Sequence, residues 1–165
     1  MAAERLFAGD PYNERHIELF EKFEEERQVK TKSLEYLKRI HTTIAKESYS
    51  DFKKNRNEIE DCLFLEKNGL ITDCCYIEGE KDRKVCNLTF VKLSKTKKRK
   101  LLSLSVDYTF QTLGMEEVFV SISKEDSSLE KLLQEQGFES LGYESDTKIY
   151  LKEKEYYQES ERVVK

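Results

Sequence analysis

The sequence lacks any apolar run that approaches the ~20 residues needed to span a bilayer. Its opening stretch, MAAERLFAGDPYNE, also lacks the apolar core of a secretory signal peptide. No internal repeat, linker or low-complexity block divides the chain. These absences argue against a helical membrane protein and a secreted protein, so we expect a soluble, cytoplasmic chain.

A strong charge of either sign is missing as well. The formal net charge is −4, although charged and hydrophobic residues each make up 38% of the 165 residues. This balance gives no global attraction to nucleic acid or to anionic membranes. The length suits one domain with one core, which we place at residues 1–153. Residues 154–165 have little to bury, and we expect them to form a frayed tail.

Metal-ligand spacings are absent too. The four cysteines are Cys62, Cys74, Cys75 and Cys86. They form no C-x-x-C knuckle and have no histidine nearby, so the sequence predicts no zinc site. Their surroundings are strand-like, and we expect buried, reduced thiols. His16 and His41 lie on predicted helices, where a surface or hydrogen-bonded histidine is a better interpretation than a catalytic base.

The first half of the chain has the pattern of a short strand, two helices and an antiparallel meander. Asn13 is a candidate cap for the first helix, whose apolar residues recur at helical spacing. The segment Ser48–Asn57 fits either a third short helix or a loop. A turn at Lys67-Asn68-Gly69 joins two strands. The predicted strands here are Glu4–Ala8, Cys62–Glu66, Leu70–Ile77 and Val85–Leu93, and the second helix is Ser33–Ala45.

The second half of the chain alternates helix and strand, with very short connections between them. Apolar residues at helical spacing predict a helix over Leu101–Leu113 that closes at Gly114. The apolar, β-branched run Glu117–Ser123 predicts a buried strand. Ser127-x-x-Glu130 has the pattern of a capping box for a short helix, and Gly137 suits its left-handed C-terminal cap. The segment after Phe138 is extended again, which indicates an α/β unit.

The run GMEEVFVSISKEDSSLEKLLQEQGFESLGY resembles the C-terminal half of the GNAT superfamily of acyl-CoA-dependent N-acyltransferases. Asp126 and the pair Gly137-Phe138 reproduce the family's spacing, and the resemblance covers Leu101–Leu151. It implies an α/β (α+β) fold with a mixed, twisted sheet of about six to seven strands and flanking helices, in the order β-αα-βββ-α-β-α-β. It also implies acetyl-CoA as co-substrate, an amine acceptor, and edge strands suited to a homodimer.

The loop that should hold the cofactor's pyrophosphate departs from the family pattern. The resemblance places it at Leu93–Leu101, where the family has glycines but this chain has none. Six of the nine positions from Lys92 to Lys100 are basic. Either lysine and arginine side chains replace the glycine cradle, or the site is degenerate and the basic residues form a solvated loop or a patch for another polyanion. A nucleic-acid patch is disfavoured because no aromatic residues interleave with the charges.

The resemblance assigns candidate cofactor contacts but no catalytic residue. Backbone contacts to the pantetheine arm fall to Val91 and Leu93. The phosphate contacts fall to Lys97, Lys98, Arg99, Lys100 and Leu101. The family's tyrosine acid is replaced by Leu133, and its usual asparagine by Asp126, for which helix capping is the simpler role. Glu66 and Glu78 as bases, and Tyr143 and Tyr150 as acids, stay unassigned.

Two functions therefore remain open. The first is an acyl-CoA-dependent N-acetyltransferase that acts by direct attack, with positioning and oxyanion stabilisation supplying most of the rate. The second is a non-catalytic GNAT-fold binding or regulatory module with a degenerate CoA site. The strand–helix–strand signature supports both, because it specifies a fold and a fold does not fix function.

Overall fold

The computed structural model describes residues 4–43, 48–91, 98–123 and 128–154. The helices are α1 (Glu14–Arg27), α2 (Lys32–Thr43), α3 (Tyr49–Lys54), α4 (Lys98–Asp107) and α5 (Ser128–Glu135). The strands are β1 (Arg5–Ala8), β2 (Glu58–Lys67), β3 (Leu70–Glu80), β4 (Val85–Phe90), β5 (Glu117–Ser123), β6 (Glu139–Glu144) and β7 (Thr147–Glu153).

All seven strands form one mixed sheet in the order β1-β2-β3-β4-β5-β7-β6. Every neighbouring pair is antiparallel except β4 and β5, which run parallel. The connection between these two strands is α4, as a parallel pair requires a crossover. The predicted α+β fold with a mixed sheet and flanking helices is confirmed.

The sheet buries a separate apolar cluster on each face. On one face, α1 and α2 cover β2 and β3, with Phe20 and Leu37 packed near Phe64 and Tyr76. On the other face, α4 and α5 pack against the whole middle of the sheet, and Leu102 and Leu133 are both fully buried there. We call these the α1–α2 face and the α4–α5 face. Within the described residues, α1 and α2 pack mainly against β2 and β3, and the side chains that β4, β5 and β7 present on this face are mostly half-buried.

Several local predictions are confirmed by the backbone. The Asn13 side chain accepts the backbone N–H of Arg15 at 3.0 Å and caps α1. Asn68 and Gly69 both have positive φ, as a two-residue turn between β2 and β3 requires. Gly137 has φ +89, and the N–H of Phe138 donates to the carbonyl of Leu133, so α5 ends in the predicted left-handed cap.

Other predicted boundaries were wrong. The strand predicted at Cys62–Glu66 extends over Glu58–Lys67, because its charged first residues pair with the end of β3. The strand predicted at Val85–Leu93 ends at Phe90, and residues 92 and 93 lie outside the described part of the chain. The predicted order also lacked α3, which the alternatives for Ser48–Asn57 had left open, and treated β6 and β7 as one extended segment.

The predicted capping box stays a prediction, and the described contacts of the Glu130 carboxylate are to β7. Its Oε1 accepts hydrogen bonds from Lys148 and from the hydroxyl of Tyr150, the latter at 2.6 Å. Its partner in the motif, Ser127, lies outside the described residues, as does Asp126. Glu130 therefore joins α5 to β7.

The helix that follows β4 changes its winding before it ends. Regular α-helix continues to Asp107, and Tyr108–Thr112 forms a π-helical turn. The backbone N–H of Leu113 donates to the carbonyl of Tyr108, and Gly114 with φ +70 then closes the helix at the predicted residue. Such π turns in helices occur often at functional sites.

The two edges of the sheet are β1 and β6. Strand β6 exposes Leu141 and Tyr143, whose exposed fractions are 56% and 61%. An exposed edge strand with apolar side chains can pair with the same edge of another copy. The homodimer stays a prediction, and β6 is the edge that could form it. Within the described residues, no helix is both long enough and apolar enough to cross a membrane.

Candidate acyl-CoA cleft and acceptor groove

The central feature of the sheet is an opening between its two parallel strands. Strands β4 and β5 pair only from Val85↔Glu117 to Leu88↔Val120. Beyond that point Thr89 and Phe90 stay paired with β3, and Ser121–Ser123 stay paired with β7. The two strands thus part at their carboxyl ends, and facing backbone groups become available to an extended ligand. We call this opening the splay.

Polar side chains meet where the strands begin to part. Ser121 Oγ lies 3.5 Å from Asn87 Oδ1, so the contact crosses from β5 to β4. Asn87 Nδ2 donates in turn to Thr89 Oγ1 at 3.4 Å. These side chains alternate with the buried residues of the α4–α5 face, and they therefore point to the α1–α2 face.

A groove on the α1–α2 face lies over the paired part of β4 and β5 and reaches the splay at Ser121. Its volume is about 470 Å³, which is within the range of small-molecule sites. Its lining combines two glutamates of β3 and the turn residue Arg83 with apolar side chains from β5, β6 and β7. The principal lining residues are Glu78, Glu80, Arg83, Asn87, Phe119, Ser121, Leu141 and Ile149. We call it the acceptor groove, since it reaches the splay from the face opposite α4 and α5.

Two carboxylates from β3 line this groove. Glu78 pairs in register with Asn87, and its carboxylate lies 4.0 Å from Lys32 Nζ. Glu80 lies 3.5 Å from Arg83. Both glutamates are about half exposed, so neither ion pair removes the carboxylate from solvent. Of the two, only Glu78 is placed directly beside Asn87 at the start of the splay.

The predicted cofactor residues fall partly within the described chain. Val91 is half-buried and directly follows β4 at the splay. Helix α4 begins at Lys98 and not at the predicted Leu101, so its unpaired N–H groups lie within the predicted phosphate loop. Leu101 is fully buried in the α4–α5 core, so only its backbone can contact a phosphate. Leu93 and Lys97 lie outside the described residues, and all these contacts stay predictions.

The two described basic side chains of the loop already contact carboxylates. Arg99 Nη2 lies 3.1 Å from Glu135, which joins the first turn of α4 to the last turn of α5. Lys100 Nζ lies 3.4 Å from Glu4. Arg99 is 68% exposed and Lys100 46% exposed at the side chain, so both cations are open to competing anions, although the Glu4 carboxylate is only 9% exposed.

The candidate acids and bases are mostly engaged elsewhere. Leu133 is fully buried in the core, so the family's tyrosine position offers no proton. Tyr150 is fully buried with its hydroxyl on Glu130, and burial raises its pKa. Tyr143 is exposed on the edge strand β6. Glu66 forms an ion pair with Arg15 beside β1. Glu78 is the one carboxylate of the earlier candidates that lines the groove.

Histidine and cysteine have structural roles in the described residues. His16 Nδ1 accepts the backbone N–H of Asp10 at 3.0 Å, and burial lowers the pKa of the ring. His41 Nδ1 lies 2.8 Å from the carbonyl of Pro11. All four cysteines are buried and free, as predicted, and burial raises their pKa values. Within the described residues no group of three or more His, Cys, Asp or Glu side chains could hold a metal ion.

Comparison with solved structures identifies the fold. The N-acetyltransferase PseH of Campylobacter jejuni, in complex with acetyl coenzyme A, superposes with a TM-score of 0.63 at 15% identity, covering 93% of this chain and 100% of that one. This chain has the GNAT fold. The spermidine N-acetyltransferase of Vibrio cholerae, in a dodecameric structure, gives 0.65 at 14% identity, covering 91% and 93%. A GNAT-family acetyltransferase of Streptococcus pneumoniae gives 0.63 at 13% identity, covering 92% and 100%.

The likeness lies in the GNAT fold itself. No protein-family model matches the sequence, and no curated protein matches it by sequence. The polar pair Asn87 and Ser121 was missed by sequence reasoning, because two polar residues on separate strands form no motif. Their one signal was the alternation of polar and apolar residues in β4 and β5, which marks an open strand face.

Proposed function

We propose that this GNAT-fold chain is an acyl-CoA-dependent N-acetyltransferase that transfers an acetyl group from acetyl-CoA to an amine. The observation that carries the proposal is the splay, because it opens between α4 and the acceptor groove and offers unpaired strand edges to a pantetheine arm. The complex of PseH with acetyl coenzyme A supports a thioester co-substrate in a protein of this fold.

The chain's residues divide the binding task between backbone and side chains. Val91 and the neighbouring backbone of β4 hydrogen-bond the amides of the pantetheine arm. The N-terminus of α4 offers its unpaired N–H groups to the pyrophosphate, and Arg99 and Lys100 add side-chain charge there. Charge-assisted hydrogen bonds from these side chains take over the role that glycine backbone has in the family's loop. Both side chains must exchange their present carboxylate partners for phosphate.

The acceptor amine enters from the groove and meets the thioester at the splay. Glu78 accepts the proton that the amine releases, directly or through one water, as the amine nitrogen bonds to the acetyl carbon. The carbon–sulfur bond then breaks and the leaving thiolate takes a proton from solvent, because Leu133 supplies none. A carboxylate in a groove with Glu80 also favours a cationic acceptor over an anionic one.

An assay of thiol release tests this function. The purified chain is mixed with acetyl-CoA and a panel of primary amines that spans diamines, amino sugars, lysine peptides and peptide N-termini. Free CoA is followed with a thiol reagent, and the acetylated amine is confirmed by mass. We expect turnover with at least one cationic amine, and a general base contributes about 10²–10⁴-fold.

A matched pair of variants makes the assay specific. Glu78→Gln should lower kcat by about 10²-fold or more and flatten the pH profile, with acetyl-CoA binding unchanged. Glu25→Gln makes the same chemical change on the exposed side of α1 and should leave turnover intact. Equal turnover in both variants would remove Glu78 from the mechanism. If the chain binds acetyl-CoA but acetylates none of the amines, the proposed enzymatic function is contradicted.

The alternative function is a GNAT-fold binding or regulatory module without catalysis. Two observations favour it: Leu133 is part of the core, and Arg99 and Lys100 already hold carboxylates. If the chain is such a module, CoA should not raise its melting temperature, or should raise it equally when residues 97–100 are replaced by alanine. If the chain is an enzyme, the same alanine substitutions should reduce the rise in melting temperature that CoA causes.

A further inference from the structure

A second and larger cavity lies beneath α3, on the β2 side of the acceptor groove. Its volume is about 610 Å³ and its walls come from α3, the first residues of β2, and the π turn. The aromatic wall consists of Tyr36, Tyr49, Phe52 and Tyr108. A cavity of this size with mostly apolar walls and a few converging polar groups is typical of a small-molecule site. We call it the α3 cavity.

The α3 cavity borders the acceptor groove, since Glu58 and Glu60 pair in register with Glu80 and Glu78, but it is separate from the splay. Its lining includes Lys81 and Lys84, which flank the turn into β4, whereas the splay begins after Leu88 near the other end of that strand. Four strand residues separate the two, a distance of about 13 Å. Strand β1 pairs with β2 only from Leu63 onward, so α3 and this cavity occupy the uncovered edge of β2.

Positive charge predominates around the cavity. Five basic residues line it, namely Lys53, Lys54, Arg56, Lys81 and Lys84, against two acidic residues, Glu58 and Glu60. Arg56 lies 2.8 Å from Glu58, and Glu60 is paired with Arg39 at 2.6 Å as well as with Arg56 at 3.7 Å. Lys53 neutralises the buried Asp61. The Lys81 ammonium donates to backbone carbonyls at the end of α3 and keeps its charge there.

Lys54 and a phenol supply donors for an anion. No described residue forms an ion pair or hydrogen bond with the Lys54 ammonium, and its side chain is exposed at the cavity's rim. The hydroxyls of Tyr36 and Tyr49 lie 2.7 Å apart, so one donates to the other and the second keeps a spare O–H. Burial raises the pKa of both phenols, so that hydrogen is present throughout the physiological range.

We propose that the α3 cavity binds a small aromatic carboxylate. Its ring packs among Tyr49, Phe52 and the π turn, and its carboxylate accepts from Lys54, Lys81 and the spare phenol. The aromatic walls select a flat apolar body over a sugar or a peptide, and the excess of cations selects an anion over an amine. The site is independent of the acyl-CoA cleft and stands whether or not the chain is an enzyme.

Calorimetric titration with 2-naphthoate tests the site on the whole chain. We expect saturable binding that saturating acetyl-CoA leaves unchanged, and at least tenfold weaker binding of 2-naphthylmethylamine. Lys54→Glu should weaken 2-naphthoate at least tenfold, the change that one charge-assisted hydrogen bond produces. Lys22→Glu, on the exposed side of α1, makes the same charge change and should have no effect.

A cavity-filling variant guards against a general electrostatic effect. Thr112 lines the cavity and is exposed, so Thr112→Trp should abolish binding while the melting temperature is maintained. Should Lys54→Glu misfold, this variant alone still decides. Absence of 2-naphthoate binding, equal binding of the amine, or displacement by acetyl-CoA would overturn the proposal. Failure of acetyl-CoA to bind would contradict the proposed function and leave this site standing.

Discussion

A buried carboxylate under α4 allows a quantitative prediction. Asp61 is fully buried on the α4–α5 face of β2. Its Oδ2 lies 3.0 Å from Lys53 Nζ and accepts the Tyr108 hydroxyl at 2.6 Å, while Oδ1 accepts the backbone N–H of Cys62 at 2.9 Å. Lys53 supplies the only cation among the Asp61 contacts that the structure describes.

Replacing Lys53 by methionine keeps the length of the side chain and removes its charge. Asp61 is then a buried charge without a cation, and such a loss costs about 3–5 kcal/mol of unfolding free energy. For a chain of this size, this corresponds to a fall in the melting temperature of about 6–20 °C. In the Asp61→Asn background the same substitution should cost about 1 kcal/mol or less, because no buried charge is left unpaired.

Urea unfolding of the four chains in this cycle, followed by circular dichroism, measures the coupling. We expect Lys53→Met to be more costly with Asp61 present than with asparagine, by about 2 kcal/mol or more. Equal costs in the two backgrounds would refute the reasoning. A loss below about 1 kcal/mol with Asp61 present would show that the pair behaves as a surface salt bridge.

Three further predictions concern the cleft and the N-terminal core. Glu135→Gln releases Arg99 from its carboxylate and should tighten acetyl-CoA binding by up to about fivefold in calorimetry, whereas unchanged or weaker binding would remove Arg99 from the phosphate site. The unfolded chain protonates His16 near pH 6.5, above the lowered pKa of the folded state, so stability should fall as pH decreases below about 6.5. In His16→Gln that fall should be smaller in urea titrations, and an identical pH dependence would contradict this. Gly9→Ala places a Cβ 2.2 Å from Cys62 Sγ and should lower the free energy of unfolding in urea by about 1–3 kcal/mol. Adding Cys62→Ala should restore part of this stability. An unchanged stability of Gly9→Ala would show that the contact relaxes.

Local signals predicted much of the fold. Asn13 and Gly137 mark helix ends that the structure shows, because a side-chain acceptor and a positive φ are requirements of single residues. The apolar run Glu117–Ser123 is the strand β5 with the predicted bounds. These features can be predicted from the sequence because each depends on residues of a single element and not on distant contacts.

The errors occur where distant residues decide. The start of β2 was missed because a charged Asp61 does not fit the pattern of a buried strand. Its burial depends on contacts with Lys53 and Tyr108, which belong to other elements. The turn between β6 and β7 has Ser145 at φ +56 where glycine is the usual residue, so the sequence carried only the weaker turn signal of Ser145-Asp146. The splay itself follows from where pairing stops, which no single strand encodes.

The most direct test of the account is a thermal-shift titration of the purified chain with acetyl-CoA, with free CoA alongside. A ligand that binds only the folded state adds about 2.7 kcal/mol at a hundred times its dissociation constant. We expect a saturable rise in melting temperature of about 5–11 °C, reduced in Arg99→Ala and unchanged in Lys22→Ala. No shift at millimolar acetyl-CoA would contradict an acyl-CoA site at the splay.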